Sequence, residues 1–390
     1  MSVNEPDALG LVERILSLLD EGRRSSTYKL AVLNGLMDLC MELADPVTGR
    51  APDMVTTRQL AAKIIELYWS QTADYFPADV PHPQSLRQGG SRGQDAEIVT
   101  EIRKFRAQLG AEPNASIARA HRLAPGAWQA LLDLVEWKLI EMPLPRLQRL
   151  GNSTDDFLYR IHWDDSVKKG TVSEYLRGFR DSAAPNRDIV VGGFDNRIEL
   201  RPGVGDALVR LNAVLRPLVQ RKWAQMVAEM NGFEESRLES FLFGAERVSL
   251  ERVRGPLRLL HRDECFYCES PLRDVEAVHV DHFIPWSRHP ENAIENLVPA
   301  HDRCNSDKRD FLAATTHLRR WRERAERDAE ALRAIAESTG FDHARDRVVS
   351  VARSIYVRLP GGARLWVRKG EFESMQARTV DEAFRRSSLT

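Results

Sequence analysis

The sequence predicts a mainly α-helical protein with a small α+β part. Three observations carry that prediction. Residues 8–140 repeatedly place apolar side chains at helical spacing. Residues 143–205 change to short β-rich runs set between Gly, Pro and Asn. Between Cys265 and Arg309, two pairs of metal-ligand residue types bracket a short β-like run that ends in an Asp-His pair.

Taken in order, residues 8–21 carry Leu9, Val12, Ile15, Leu16 and Leu19 on one helical face, with Gly22 as the stop. Ser26 or Thr27 caps a second helix, Tyr28 to about Leu43, apolar on more than one face and so expected to be buried. Cys40 lies in it and reads as a small buried hydrophobe rather than a reactive thiol. Thr56 or Thr57 opens a third helix through Leu60, Ile64, Leu67 and Trp69. Residues 76–94 read as an exposed loop, and residues 95–109 and 125–140 as further helices.

The runs F-L-Y-R-I-H-W, D-I-V-V-G-G-F and R-I-E-L-R-P predict a small sheet or hairpin pair, read here as a connector. A long amphipathic helix follows from Gly205 to about Met230, with Arg210, Arg216, Arg221 and Lys222 on its polar face. Residues 234–244 and 248–260 read as shorter helices. Asp310 to about Glu337 reads as one long helix, and residues 348–359 and 363–369 as a hairpin around P-G-G-A. The last dozen residues are expected to fray.

The formal net charge is −1, which argues against a strongly basic, non-specific nucleic-acid binder but leaves local phosphate-binding patches open. No run approaches the roughly 18 apolar residues of a transmembrane helix. M-S-V-N-E-P-D-A lacks a basic region followed by an apolar one, so a cytoplasmic protein without membrane contact is expected. Of the four Cys, Cys265 and Cys268 form a Cys-x-x-Cys, which in a cytosolic chain is more often metal-binding or redox-active than a disulfide.

The central stretch reads C-F-Y-C at 265–268, V-H-V-D-H-F-I-P at 278–285 and E-N-L-V-P-A-H-D-R-C-N-S-D-K-R at 295–309. Cys265, Cys268, His301 and Cys304 form two x-x-spaced pairs, which lets two tight turns converge on one tetrahedral ion. Thiolate and imidazole donors at four corners favour a closed, structural zinc site. The bland alternative is buried thiols beside a surface His301. Asp281 and His282 are neighbours on a strand and point to opposite faces unless the strand ends there, as Pro285 suggests.

These residues resemble the HNH endonucleases, whose ββα-metal fold carries one catalytic divalent ion. The resemblance implies a helical N-terminal domain followed by a ββα-metal HNH nuclease module, here in an HNN-type spelling with a zinc knuckle. His301 stands where many such modules have a third Cys of two Cys-x-x-Cys pairs. By this likeness His282 is the general base, Asp281 and Asn305 hold a catalytic Mg²⁺ or Mn²⁺, and Asn296 fixes the base. A neutral-range pKa suits His282 to that role, and oxygen donors suit Mg²⁺ or Mn²⁺ better than zinc. Lys308, Arg303 and Arg309 are candidates for phosphate contact or plain helix surface. His279 reads as a packing or supporting residue. Arg319, Arg320, Arg322 and Arg324 around Trp321 read either as a DNA-facing surface or as a solvated face.

The expected organisation is a helical domain at 1–142, a β-rich connector or subdomain at 143–204, a helical lead-in at 205–262, the nuclease module at 263–315 and C-terminal helices with a hairpin at 316–390. The expected function is metal-dependent hydrolysis of DNA phosphodiester bonds, in the setting of bacterial restriction or phage defence that the resemblance implies. The alternatives are a non-catalytic zinc-stabilised nucleic-acid-binding or interaction module, an RNase of the same fold, and a nuclease subunit activated by another protein of a defence system.

Overall fold

The computed structural model describes residues 8–20, 26–76, 82–89, 95–110, 116–151, 155–164, 166–180, 190–191, 194–244, 249–273 and 278–385. The expected stop at Gly22 and the first seven residues, up to Asp7, lie outside them, as does part of the 76–94 loop. The chain divides into two compact units, residues 1–40 with 52–247, and residues 41–51 with 248–390.

The first unit is helical around one small sheet. It holds α1 (Ala8–Asp20), most of α2 (Tyr28–Glu42), β1 (Met54–Thr56), α3 (Thr57–Gln71), α4 (Glu97–Gln108), α5 (Ile117–Leu123), α6 (Pro125–Glu141) and α7 (Pro143–Arg146). It continues with β2 (Tyr159–Ile161), α8 (Lys169–Arg180), β3 (Val190–Val191), β4 (Phe194–Asp195), β5 (Arg197–Leu200), α9 (Val204–Asn231) and α10 (Glu235–Phe243). α2 is buried along nearly its whole length, Cys40 included, which is why its apolar residues run around more than one face.

Thr56 caps α3 in a capping box: the Gln59 N–H donates to Thr56 Oγ1, and the Thr56 N–H donates to Gln59 Oε1. Thr27 does not act as a cap in this way; its hydroxyl meets Tyr68 and Gln88. α3 locks to α6 where Arg58 reaches Asp133 at 3.1 Å and the fully buried Glu136 at 2.9 Å. The Thr57 hydroxyl supplies a further hydrogen bond to Glu136, the kind of satisfaction a buried carboxylate requires. β5 lies between β1 and β2, antiparallel to both, with Ile198 opposite Val55 and Ile161. The connector region therefore shares a sheet with residues ahead of α3. It also contains α7 and α8, which the β-rich reading missed, and Asp188, Ile189, Gly192 and Gly193 of its D-I-V-V-G-G-F run lie outside the described residues. One expectation for α9 is corrected: Arg216 is not on a solvated face but buried, paired with Asp38 and donating to Asn212.

The second unit begins with residues 41–51, which grip a later helix. Asp45 Oδ1 accepts the N–H groups of Val47 and Thr48, while Arg353 donates to the Val47 carbonyl and Arg358 to that of Gly49. Gly49 sits at φ +72°, and a Cβ there would lie 2.7 Å from Val357 Cγ2, so only glycine fits. The unit then runs through α11 (Glu251–Leu260), β6 (Val278–His282), β7 (Leu297–His301), α12 (Asp302–Lys308), α13 (Thr315–Arg327), α14 (Ala329–Thr339), α15 (Arg345–Tyr356), β8 (Arg364–Arg368), β9 (Glu371–Ser374) and α16 (Ala377–Phe384). β6, β7 and α12 form a ββα unit.

Three expectations fail in this half. The long helix at 310–337 is two helices, broken at Asp328, because Leu332 and Ala336 of α14 pack into a core with Val253, Leu257, Ile294, Leu297 and Phe341. Residues 348–356 are helical rather than half of a hairpin. Val348, Val351, Ala352 and Tyr356 are buried at helical spacing that the β-branched run concealed. The hairpin is instead β8 with β9. Fraying is not seen over residues 379–385 of the last dozen, since α16 buries Val380, Ala383 and Phe384 and pairs Asp381 with Arg353 at 2.6 Å, and residues 386–390 lie outside the described residues.

Candidate active site and zinc cluster

The two Cys/His pairs converge. The ligand atoms of Cys265, Cys268, His301 and Cys304 all lie within 4.8 Å of one another. A tetrahedral zinc with bonds of about 2.3 Å needs sulfurs about 3.8 Å apart, so a small contraction suffices. The C-F-Y-C segment forms a tight turn in which the Glu269 N–H donates to the Cys265 carbonyl, and the Phe266 N–H donates to Pro299 O of β7. His301 ends β7 opposite Val278. Its Nδ1 lies 3.3 Å from Cys268 Sγ, and its Nε2 lies 3.2 Å from the Pro271 carbonyl. A backbone carbonyl on the far nitrogen is the usual way to fix a ligating imidazole. A hydrogen bond from Cys304, with backbone N–H groups of Cys268, His301 and Tyr267, lowers the Cys265 thiol pKa despite its burial, while the same contact raises that of Cys304. A thiolate is the form zinc binds. The donor set fits a closed structural zinc.

At the other end of β6, where the strand stops at His282, Asp281 and His282 take different partners. Asp281 Oδ2 accepts from the Tyr267 hydroxyl at 2.5 Å and from Lys308 Nζ at 2.9 Å. Lys308 also donates to the His282 carbonyl at 2.9 Å and is completely buried, so it is a structural cation rather than loose helix surface. Burial and the Asp281 charge push the Tyr267 phenol far above its ordinary range, which keeps it a donor. His282 meets the loop after β6: its Nε2 lies 2.9 Å from Asn292 Oδ1, with its ring edge-on to Trp286 at 5.3 Å. Burial lowers its pKa, so the neutral imidazole is the form present near pH 7.

Asn296 is fully buried and ties the loop after β6 into a closed shape. Its Oδ1 accepts from the Ile284 N–H at 2.8 Å, and its Nδ2 donates to the Ile284 and Glu291 carbonyls, each at 3.1 Å. Its own carbonyl accepts from the Phe283 N–H. Asn305 is half-buried on α12, one turn before Lys308 and therefore on the same helix face.

The remaining candidates separate cleanly. His279 makes an exposed ion pair with Asp302, and Arg303 and Arg309 are exposed on or beside α12. His289 is buried against Glu42, and His317 Nε2–H donates to the Val367 carbonyl at 2.8 Å while the ring stacks on Trp366. The α13 arginines are not one DNA-facing surface. Arg324 is buried and donates to the carbonyls of Glu295, Ile294 and Leu297, and Arg320 donates to the Phe266 carbonyl and pairs with Glu269. Arg322 pairs with Glu326, which leaves Arg319 exposed among the four.

Sequence reasoning missed Tyr267 and Asn292. Tyr267 had a faint signal, a polar aromatic between two zinc-type cysteines. Asn292 had none beyond lying in N-A-I-E-N, where Asn296 occupied attention.

Two family models match the chain. The HNH endonuclease model covers residues 265–311, and a model described as a domain of unknown function, DUF8808, covers residues 8–242. No curated protein and no solved structure matches it. No helix among the described residues is long and apolar enough to cross a membrane. The chain belongs to the DUF8808 family and carries, C-terminal to that region, an HNH endonuclease domain, which suggests a nuclease-type or nucleic-acid-interacting function.

Proposed function

We propose that the protein is a metal-dependent endonuclease that hydrolyses DNA phosphodiester bonds. The observation that carries this is the His282 imidazole, kept neutral by burial and hydrogen-bonded through Nε2 at the end of β6, next in sequence to a carboxylate. With Nε2–H donating to Asn292, Nδ1 is the free lone pair, and it accepts the proton of an attacking water. The assignment of the proton to Nε2 follows from the acceptor it faces.

The residues fit a catalytic divalent cation. Asp281 Oδ2 is engaged by Tyr267 and Lys308, which leaves Oδ1 as the donor, and Asn305 offers a side-chain oxygen from the α12 face that carries Lys308. One carboxylate, an amide and water suit Mg²⁺ or Mn²⁺. Such an ion supplies charge stabilisation at the scissile phosphate and the leaving 3′ oxygen. Lys308 and Tyr267 hold Asp281 at a fixed orientation, while Asn296 holds the shape of the loop after His282.

One observation favours a second reading, a zinc-stabilised module that binds nucleic acid without cutting it. Lys308 already neutralises Asp281, which weakens the pull of that carboxylate on a divalent ion. Incubating the protein with plasmid DNA, and separately with RNA, in Mg²⁺, Mn²⁺ or chelator separates the two. Metal-dependent strand scission supports the nuclease. Retention of DNA without scission in any metal supports the binding module.

A further inference from the structure

We propose that Asn292, rather than Asn296, is the residue that orients His282 and sets its tautomer. The proposal rests on His282 being the catalytic base. Asn292 Oδ1 lies 2.9 Å from His282 Nε2, whereas the Asn296 side chain makes its hydrogen bonds to the Ile284 and Glu291 backbone. The two asparagines divide the work: Asn296 closes the loop, and Asn292 at the loop's far end meets the ring.

Two residues just before Asn292 anchor its segment. Next to it, Glu291 accepts from Arg347 at 2.8 and 3.1 Å and from the Ala293 N–H at 2.8 Å. Arg347 and His289 hold Glu291 ionised despite its burial. Three residues before Asn292, the buried His289 pairs with Glu42 at 3.2 Å. Glu42 lies in the segment that the DUF8808 model also matches, so that region supplies one anchor of the loop. The amide oxygen that faces the ring accepts only from an N–H, which places the proton on Nε2 and the lone pair on Nδ1. Asn292 is a positioning residue that acts through His282.

The test is ¹⁵N spectroscopy of histidine-labelled full-length protein at a pH where His282 is neutral, with its signals identified by their loss in His282→Ala. Wild type should show the Nε2–H tautomer. Asn292→Ala should shift both ring nitrogens towards a tautomer mixture, and Asn292→Asp, which keeps the acceptor oxygen, should restore the wild-type pattern. Should Asn292→Ala not fold, Asn292→Ser, whose hydroxyl is too short to span the same gap, should give the mixture. In the cleavage assay Asn292→Ala should lower kcat about 10–100-fold with KM little changed. Unchanged His282 signals in the folded Ala or Ser variant overturn the proposal. The tautomer readout needs no cleavage, so a failure of the nuclease reading stays distinguishable from a failure of this one.

Discussion

The two ends of the β6–β7 ladder solve the same electrostatic problem in opposite ways. At one end, His301 opposite Val278 joins three cysteines that face one another across 4.8 Å or less. At the other, about 14 Å away along a five-residue ladder, Asp281 is clasped by Lys308 and Tyr267, and Asn292 lies against His282. The first end gathers donors that need an external ion. The second supplies its own cation from α12. The comparison teaches that metal removal should affect stability at the zinc end and activity at the other.

The sharpest way to break this contrast is at the zinc end. Cys265→Ser, or stripping zinc with a strong chelator, is expected to destabilise the protein by more than about 4 kcal/mol, since metal loss ranks among the largest single effects. Metal analysis with a thermal melt checks this. A melt unchanged by zinc removal contradicts the assignment, whereas Mg²⁺ withdrawal should leave the melt in place.

At the other end, Lys308→Met strands a buried carboxylate and is expected to cost about 3–5 kcal/mol in urea unfolding. Adding Asp281→Asn should recover most of that loss, because the pair would then be removed together. A double variant no more stable than the single one would mean that the pair is not the internal counterion described. Arg324→Leu should cost about 2 kcal/mol, because the Leu297 carbonyl loses its side-chain donor, whereas Glu295 O keeps the Trp321 indole N–H and Ile294 O keeps the Leu297 N–H. Smallest is Gly49→Ala, about 1–2 kcal/mol from the left-handed backbone at φ +72°.

The same contrast explains what the sequence disclosed. The zinc donors were legible because two x-x spacings on turns fix the ligand geometry locally. The roles given to Asp281, His282, Asn296 and Asn305 come from family likeness, and their placement on β6, on the loop and on α12 follows the chain order. The interior of the catalytic end was not. Whether Lys308, Arg324 or Arg216 faces water depends on the carboxylates and carbonyls that distant segments bring to it. Asn292 reads like any loop asparagine until His282 is folded against it. α15 was mistaken for a strand because β-branched residues carry strand propensity that packing against the rest of the second unit overrides.

The central claim is that His282 is the base of a metal-dependent nuclease. Its most direct test is nicking of supercoiled plasmid by wild type and His282→Ala in Mg²⁺ or Mn²⁺, with circular dichroism to confirm that both are folded. The account predicts cleavage by wild type and a loss of at least about 10³-fold in the variant. Equal cleavage by the two folded proteins would contradict it.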